Sequence, residues 1–139
     1  MIVLDTNVLS ELMRRLPAAA VLEWFSAQSA AALFTTSVSQ AEILFGIYLL
    51  PEGKRRRALA EQADAMFKED FAGRVLGFDM AAAPHYATIA SQYRSRGRTI
   101  QPEDGMIAAI ATAHRATIAT RDRDFQGCGI PLINPWMSV

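Results

Sequence analysis

The first ten residues, MIVLDTNVLS (1–10), place an acid directly after an uninterrupted apolar run. Residues 2–4 show no polar alternation, which is typical of a short strand buried on both faces in a parallel sheet. The next stretch, TNVLSELMRR (6–15), has a helical pattern. Asp5 therefore lies where a strand gives way to a helix, and it either caps that helix or belongs to a site.

The same change from strand to helix recurs along the chain. Further strand candidates are ALFTTS (32–37), RVLGF (74–78), ATIAT (116–120) and PLIN (131–134), with helical patterns between most of them. Strands that alternate with helices predict an α/β sandwich with a central parallel sheet and right-handed crossovers. No linker interrupts the pattern, so residues 1–139 are expected to form a single domain.

The stretch VSQAEILFGIYLL (38–50) predicts a helix, because Ala41, Leu44, Phe45 and Tyr48 lie at helical spacing. Ser37 or Ser39 is expected to cap it. Phe45, Tyr48 and Leu49 are expected mostly in the core, although a contact with a partner is an alternative for them.

Charge and cysteine content exclude several classes of function. Lys and Arg number 14 and so do Asp and Glu, so the net charge indicates no partner. Cys128 is the single cysteine, which excludes an internal disulfide and a cysteine-based zinc site. This cysteine usage suits a reducing cytoplasm, which is the expected location. No stretch is long and apolar enough for a membrane span, so no membrane association is expected.

Four acids fall at the carboxyl ends of predicted strands or in the first turns of the helices nearby: Asp5, Glu42, Asp104 and Asp122. In open α/β sheets this edge is where sites form. Taken singly, Asp5 could be a cap, Asp104 a complement to a helix dipole and Asp122 part of a charged turn.

Glu42 is harder to explain as a structural residue. No Lys or Arg occurs between Arg15 and Lys54, and its helical neighbours are mainly apolar. A carboxylate in such a setting is costly unless it is paired or bound to a metal. A position on the helix rim, in contact with solvent, is the alternative.

Several carboxylates at one edge repel each other unless a cation neutralises them. Mg²⁺ and Mn²⁺ prefer carboxylate ligands and can promote phosphodiester cleavage. His85 and His114 fall on helices away from this edge, and no glycine-rich phosphate loop with a lysine is present. The pattern therefore favours a hard divalent cation.

The sequence resembles PIN-domain ribonucleases, most of all VapC-type toxins including the FitB-like group. The motifs that carry the resemblance are IVLDTNVLSE (2–11), SVSQAEILFG (37–46), EDGMIAAIA (103–111) and ATRDRDF (119–125), and the likeness runs on to INPW (133–136). It implies a three-layer α/β/α sandwich around a parallel sheet of about five strands. It also implies endonucleolytic cleavage of RNA that depends on Mg²⁺ or Mn²⁺.

The resemblance also assigns roles residue by residue. Asp5, Glu42, Asp104 and Asp122 match the catalytic acidic quartet, and Asp5, Asp104 and Asp122 would bind the metal. The supporting residues would be Thr6, Asn7, Thr120 and the accessory acid Asp124. Glu103 stands where the family more often has a small residue, but the helical face shared by Asp104 and Ile107 favours Asp104 as the inward acid.

The family resemblance implies partners as well. They are an RNA substrate, a small DNA-binding antitoxin, a second copy of the chain in a homodimer and a higher toxin–antitoxin assembly, with operator DNA bound only through the antitoxin. The alternative is a catalytically silent PIN-like module that binds RNA or protein. An aspartate-nucleophile phosphatase fits poorly, because Asn7 stands where a second Asp is needed. A receiver domain fits poorly too, because both lysines lie in the middle of the chain.

Two dense basic stretches, GKRRRALAE (53–61) and RSRGR (94–98), are candidates for RNA contact. The first begins with four consecutive cations, Lys54, Arg55, Arg56 and Arg57. A solvated helix end is the usual interpretation of such a run.

Replacing these four cations with Gln is expected to weaken RNA binding, because a neutral side chain cannot displace the counterions that surround an RNA phosphate. The slope of log affinity against log salt should fall by about 0.7 for each phosphate that is no longer neutralised. Fluorescence anisotropy with labelled RNA over a KCl series measures both quantities. Unchanged affinity would mean that the run only solvates a helix end.

Overall fold

The computed structural model describes residues 1–137, and its centre is a sheet of five parallel strands. Their order across the sheet is β3-β2-β1-β4-β5. The strands are β1 (Ile2–Leu4), β2 (Leu33–Thr36), β3 (Val75–Leu76), β4 (Thr117–Ala119) and β5 (Leu132–Ile133). The predicted parallel sheet of about five strands is confirmed.

Six α-helices connect and cover these strands in the described part of the chain. They are α1 (Thr6–Leu12), α2 (Ala19–Ala27), α3 (Ser37–Tyr48), α4 (Lys54–Ala65), α5 (Ala83–Ser95) and α6 (Pro102–Ala113). A π-helical turn (Met66–Asp70) extends α4, and 3-10 turns occur at Ala30–Ala32, Arg123–Gly127 and Pro135–Met137. No helix in residues 1–137 is long and apolar enough to cross a membrane.

The central strand β1 has a core on each of its faces. Successive side chains of a strand point to opposite faces of the sheet. Leu4 packs in one cluster with residues such as Leu9 and Phe67, and Val3 packs in another with residues such as Ile107. The uninterrupted apolar sequence of β1 follows from this burial on both faces, and the three-layer α/β/α sandwich is confirmed.

The strand order also determines where along the sheet a crevice for a site opens. From β1 the chain moves outward through β2 to β3, and it then returns to pair β4 with the other side of β1. The direction of strand addition therefore reverses between β1 and β4. In parallel α/β sheets a crevice opens at the carboxyl ends of the strands at this point.

The expected cap of α3 was wrong, because Thr36 lies one residue before Ser37 and three before Ser39. Thr36, the last residue of β2, accepts a hydrogen bond from the backbone N–H of Ser39 at 3.0 Å. Ser37 is exposed, and the buried Ser39 contacts the Thr6 hydroxyl instead. A buried threonine of a strand can cap because β2 runs directly into α3 without a loop.

The expected burial of the exposed face of α3 was also wrong. Phe45, Tyr48 and Leu49 are 66%, 55% and 69% exposed, while Ile43 and Ile47 are buried. Both faces of α3 are apolar in sequence, so helical spacing alone does not identify the face that packs on the sheet. The sheet lies on the side of Ile43 and Ile47 and leaves an apolar patch in solvent.

Candidate active site

The four predicted acids, Asp5, Glu42, Asp104 and Asp122, line one cleft of about 460 Å³ at the carboxyl edge of the sheet. Six further residues complete its lining: Thr6, Asn7, Ser10, Glu11, Arg14 and Arg121. The acids come from the end of β1, from α3, from α6 and from the segment after β4. The reversal of strand order between β1 and β4 therefore brings together residues that are up to 117 positions apart in sequence.

Asp5 lies at the base of this cleft and is only 4% exposed. One of its carboxylate oxygens accepts a hydrogen bond from the backbone N–H of Thr6 at 2.8 Å, so Asp5 is also the cap of α1. The other oxygen accepts a hydrogen bond from the Thr120 hydroxyl at 2.8 Å. Asp5 therefore caps α1 and lines the cleft at the same time, and both of its carboxylate oxygens are held in place.

The Thr120 hydroxyl joins the ends of β1 and β4. Besides its bond to Asp5, it accepts hydrogen bonds from Asn7 Nδ2 at 3.2 Å and from the backbone N–H of Asp122 at 2.9 Å. It uses its one proton and both lone pairs and is itself buried. Its role is to fix Asp5, Asn7 and Asp122 relative to one another.

Glu42 is tied to α1 through a second hydroxyl. Thr6 Oγ1 donates to Glu42 Oε1 at 2.7 Å and lies 2.9 Å from the Ser39 hydroxyl. An ionised carboxylate only accepts and a hydroxyl carries one proton, so Ser39 donates to Thr6 when Thr6 donates to Glu42. Glu42 is half-buried. Its orientation is set by this relay, because no cation within residues 1–137 pairs with it.

Asp104, Asp122 and Asp124 form the closest group of acids. Each offers a carboxylate oxygen, and the three oxygens lie within 4.8 Å of one another. Glu103 is exposed and does not line the cleft, so Asp104 is the inward acid, as its helical face indicates. A tight contact helps to set this turn of α6, because a Cβ at Gly105 would lie 2.8 Å from the Tyr86 ring of α5.

The crowding of carboxylates raises two pKa values. Burial raises the pKa of Asp5 to about 6, although the hydrogen bonds from Thr120 and Thr6 oppose it, and the charges of Glu42 and Asp122 add to the rise. Burial likewise raises the pKa of Asp104 to about 7, and the charges of Asp5 and the other cleft acids add to it. In both cases the ionised form lacks a compensating positive charge.

The donor set of the cleft fits a hard divalent cation. None of its four predicted acids has a Lys or Arg nitrogen within 4.0 Å in residues 1–137. The side-chain oxygen of Asn7 is buried beside them without a hydrogen-bond partner. Carboxylate and amide oxygens are the ligands that Mg²⁺ and Mn²⁺ prefer, and histidine and cysteine are absent from the lining.

The predicted RNA-binding cations lie outside this cleft. Lys54 and Arg57 are exposed at the start of α4, and Arg56 stacks over Tyr48 at 5.3 Å. Arg55 lines a neighbouring groove that meets the cleft at Thr6 and Glu42.

Sequence reasoning missed five residues of the site. They are Ser10, Glu11, Arg14, Ser39 and Arg121. Glu11 is buried, accepts a hydrogen bond from the Ala18 N–H at 2.9 Å and pairs with Arg14 at 3.4 Å. The sequence offers one signal for the first three, because positions 7, 10, 11 and 14 share one face of a helix.

Comparison with known proteins identifies relatives over nearly the whole chain. The PIN domain model matches residues 2–129. Plasmid stability protein StbB of Pseudomonas syringae pv. tomato is 44% identical over 98% of this chain and 99% of its own length. VapC ribonuclease Y4jK of Sinorhizobium fredii is 43% identical over 98% of both chains.

A solved structure shares the fold of this chain. It is the structure of FitAB bound to an IR36 DNA fragment, which is 37% identical and has a TM-score of 0.92 over 100% of this chain and 98% of its own. The fold, the cleft at its carboxyl edge and the match over residues 2–129 lead to one conclusion: the chain belongs to the PIN domain family.

Proposed function

We propose that this protein is a metal-dependent endoribonuclease and the toxin of a bacterial toxin–antitoxin pair. The observation that carries the proposal is the convergence of Asp5, Glu42, Asp104 and Asp122 on one cleft without a paired cation. The names of its relatives, a VapC ribonuclease and a FitAB complex, support the choice of RNA hydrolysis and of an antitoxin partner.

The proposed cofactor is Mg²⁺ or Mn²⁺, held by Asp5, Asp104 and Asp122, with Asp124 as an accessory acid. Such an ion supplies positive charge to the phosphodiester and lowers the pKa of water. Its charge would also relieve the repulsion that raises the pKa values of Asp5 and Asp104.

The protein groups supply orientation. Thr120 and the Thr6 N–H hold both oxygens of Asp5, and the Thr6 hydroxyl holds Glu42. Positioning of this kind accounts for much of the rate that phosphoryl-transfer enzymes achieve.

The antitoxin would bind the groove that adjoins the cleft. This groove, of about 1030 Å³, has an apolar floor that includes Ile43 and Ile47, with Leu16 at its edge and cations at its rim. It meets the cleft at Thr6 and Glu42, so an occupant of the groove would reach the active site. An antitoxin segment that combines apolar and acidic residues matches this surface.

Higher assembly stays a prediction. The exposed apolar patch of Phe45, Tyr48 and Leu49 is available for a homodimer contact. Operator DNA would be bound only through the antitoxin, as the family resemblance implies.

Asp5→Asn is expected to lower the rate of RNA cleavage by roughly a hundred- to a thousandfold, because it removes a buried charge at the centre of the site. The assay is cleavage of total RNA with Mn²⁺ and with EDTA, with circular dichroism to check folding. Asp70→Asn, which changes an exposed acid outside the cleft, is the control and should cleave normally. If Asp5→Asn cleaves as fast as the unsubstituted protein, the catalytic assignment is wrong.

Asp104→Asn is expected to raise the melting temperature of the metal-free protein at pH 8. The folded state raises the pKa of Asp104 from 3.8 to about 7, so folding favours its protonated form. Stability from this group is present below pH 4 and disappears as the pH rises through 7. Asp104→Asn does not lose stability in this way. Its melting temperature should be on the order of 5 °C higher than that of the unsubstituted protein at pH 8, and the same at pH 4.

The matched control for this measurement is Glu103→Gln, which changes the exposed neighbouring acid. Mn²⁺ should stabilise the unsubstituted protein and Glu103→Gln at pH 8, and it should stabilise Asp104→Asn much less. Equal Mn²⁺ stabilisation of all three proteins would contradict the metal site.

Leu16→Glu is expected to disrupt the complex with the antitoxin encoded by the adjacent reading frame, because it places a charge at the apolar groove. Leu16 is 84% exposed, so the free protein should keep its stability. Met80→Glu is the control, since Met80 is 91% exposed and lies outside the groove. Co-purification of both variants with the antitoxin would show that it binds elsewhere.

A further inference from the structure

Arg121 is a cation of the cleft that the proposed metal chemistry does not use. It directly follows Thr120, is exposed and lines the cleft together with the four acids. The other cation in the lining, Arg14, pairs with Glu11 at 3.4 Å. Arg121 has no carboxylate oxygen within 4.0 Å among residues 1–137, although acids surround it.

The charge of Arg121 acts on Glu11, and its guanidinium contacts Trp136. The guanidinium carbon of Arg121 lies 4.4 Å from the centre of the Trp136 ring system. A guanidinium stacked on an aromatic face keeps its edge N–H donors free for a further partner. Without such a support, a flexible arginine beside Asp122 and Asp124 would be drawn to their carboxylates.

Trp136 is itself held in position. It lies in the 3-10 turn Pro135–Met137, which packs against α2. Its backbone N–H donates to Asn134 Oδ1 at 3.0 Å, and its side chain packs against the core cluster that contains Leu4. The INPW segment (133–136) therefore presents a fixed aromatic surface to Arg121, which lines the cleft.

We infer that Arg121, held by Trp136, binds a phosphate of the RNA backbone adjacent to the one that is cut. The inference rests on the proposed ribonuclease function. An acid-lined cleft repels a polyanion, and a metal would neutralise only the phosphate at the reacting centre. A guanidinium at the rim offers charge-assisted, bidentate hydrogen bonds to a neighbouring phosphate. Arg121 is thus a substrate-binding residue, and Trp136 is a positioning residue.

The test measures RNA binding in the Asp5→Asn background, with a fluorescein-labelled mixed-sequence RNA over a KCl series. Arg121→Gln should weaken binding roughly ten- to a hundredfold. It should also reduce the slope of log affinity against log salt by about 0.7, the value for one neutralised phosphate of a single strand. Arg123→Gln removes the same charge two residues away, outside the cleft, and should change the slope by much less.

Variants of Trp136 separate positioning from packing. Trp136→Leu should weaken RNA binding roughly two- to fivefold, and Trp136→Phe, which keeps an aromatic face, should restore most of this affinity. The double variant Arg121→Gln/Trp136→Leu should bind no more weakly than Arg121→Gln alone, because Trp136 acts through Arg121. Additive effects of the two substitutions would overturn the positioning role.

The experiments distinguish a failure of the proposed role of Arg121 from a failure of the proposed ribonuclease function. If the unsubstituted protein cleaves RNA and Arg121→Gln keeps the full affinity and salt slope, this inference is wrong and the proposed function stands. If the unsubstituted protein neither binds nor cleaves RNA with Mn²⁺ present, the proposed function and this inference both fail.

Discussion

The repulsion among carboxylates at one edge of the sheet is the constraint on which the rest of the structure depends. Asp5 and Asp104 are buried or half-buried beside Glu42 and Asp122, and burial and mutual charge raise the pKa values of the first two. No cation in residues 1–137 pairs with any of the four. Such an arrangement costs stability in the free protein, so the surrounding fold has to hold it in place.

The fold holds the acids in place with hydroxyl groups and backbone amides instead of positive charges. Thr120 ties Asp5 at the end of β1 to Asp122 after β4, and Thr6 ties Glu42 of α3 to α1. These neutral donors orient the acids without neutralising them, so the negative charge remains available for a cation. Arg14 and Arg121 also lie in the cleft, where Arg14 pairs with Glu11 and Arg121 contacts the Trp136 ring, and neither forms an ion pair with the four acids.

Sequence predicted the parts of this structure that local patterns encode. The apolar run of β1 followed by Asp5, the alternation of strands and helices and the face of α6 predicted the sheet and the edge where the acids meet. The packed face of α3 was not predicted, because Phe45 and Tyr48 are as apolar as the buried Ile43 and Ile47. The cap of α3 was not predicted, because Thr36 is both the last residue of β2 and the N-cap of α3.

The roles of Arg121 and Trp136 were hidden for a different reason. Fifteen positions separate them in sequence, and neither helical nor strand periodicity places them together. Their contact forms only in the folded chain, so the sequence pattern does not predict it. RDRDF (121–125) looks like a charged turn with surface ion pairs, whereas Arg121 stacks on an aromatic ring. Long-range pairs of this kind follow from the docking of the last 3-10 turn against α2.

Calorimetry of Mn²⁺ binding in buffers of different ionisation enthalpy tests the central claim most directly. The claim is that the acids crowd at one edge of the sheet in order to bind a cation. Since Asp5 and Asp104 have pKa values of about 6 and 7, Mn²⁺ should displace protons from them, on the order of one proton per site at pH 6.5 and almost none at pH 8.5. Absence of binding, or binding with no proton release at pH 6.5, would contradict the account.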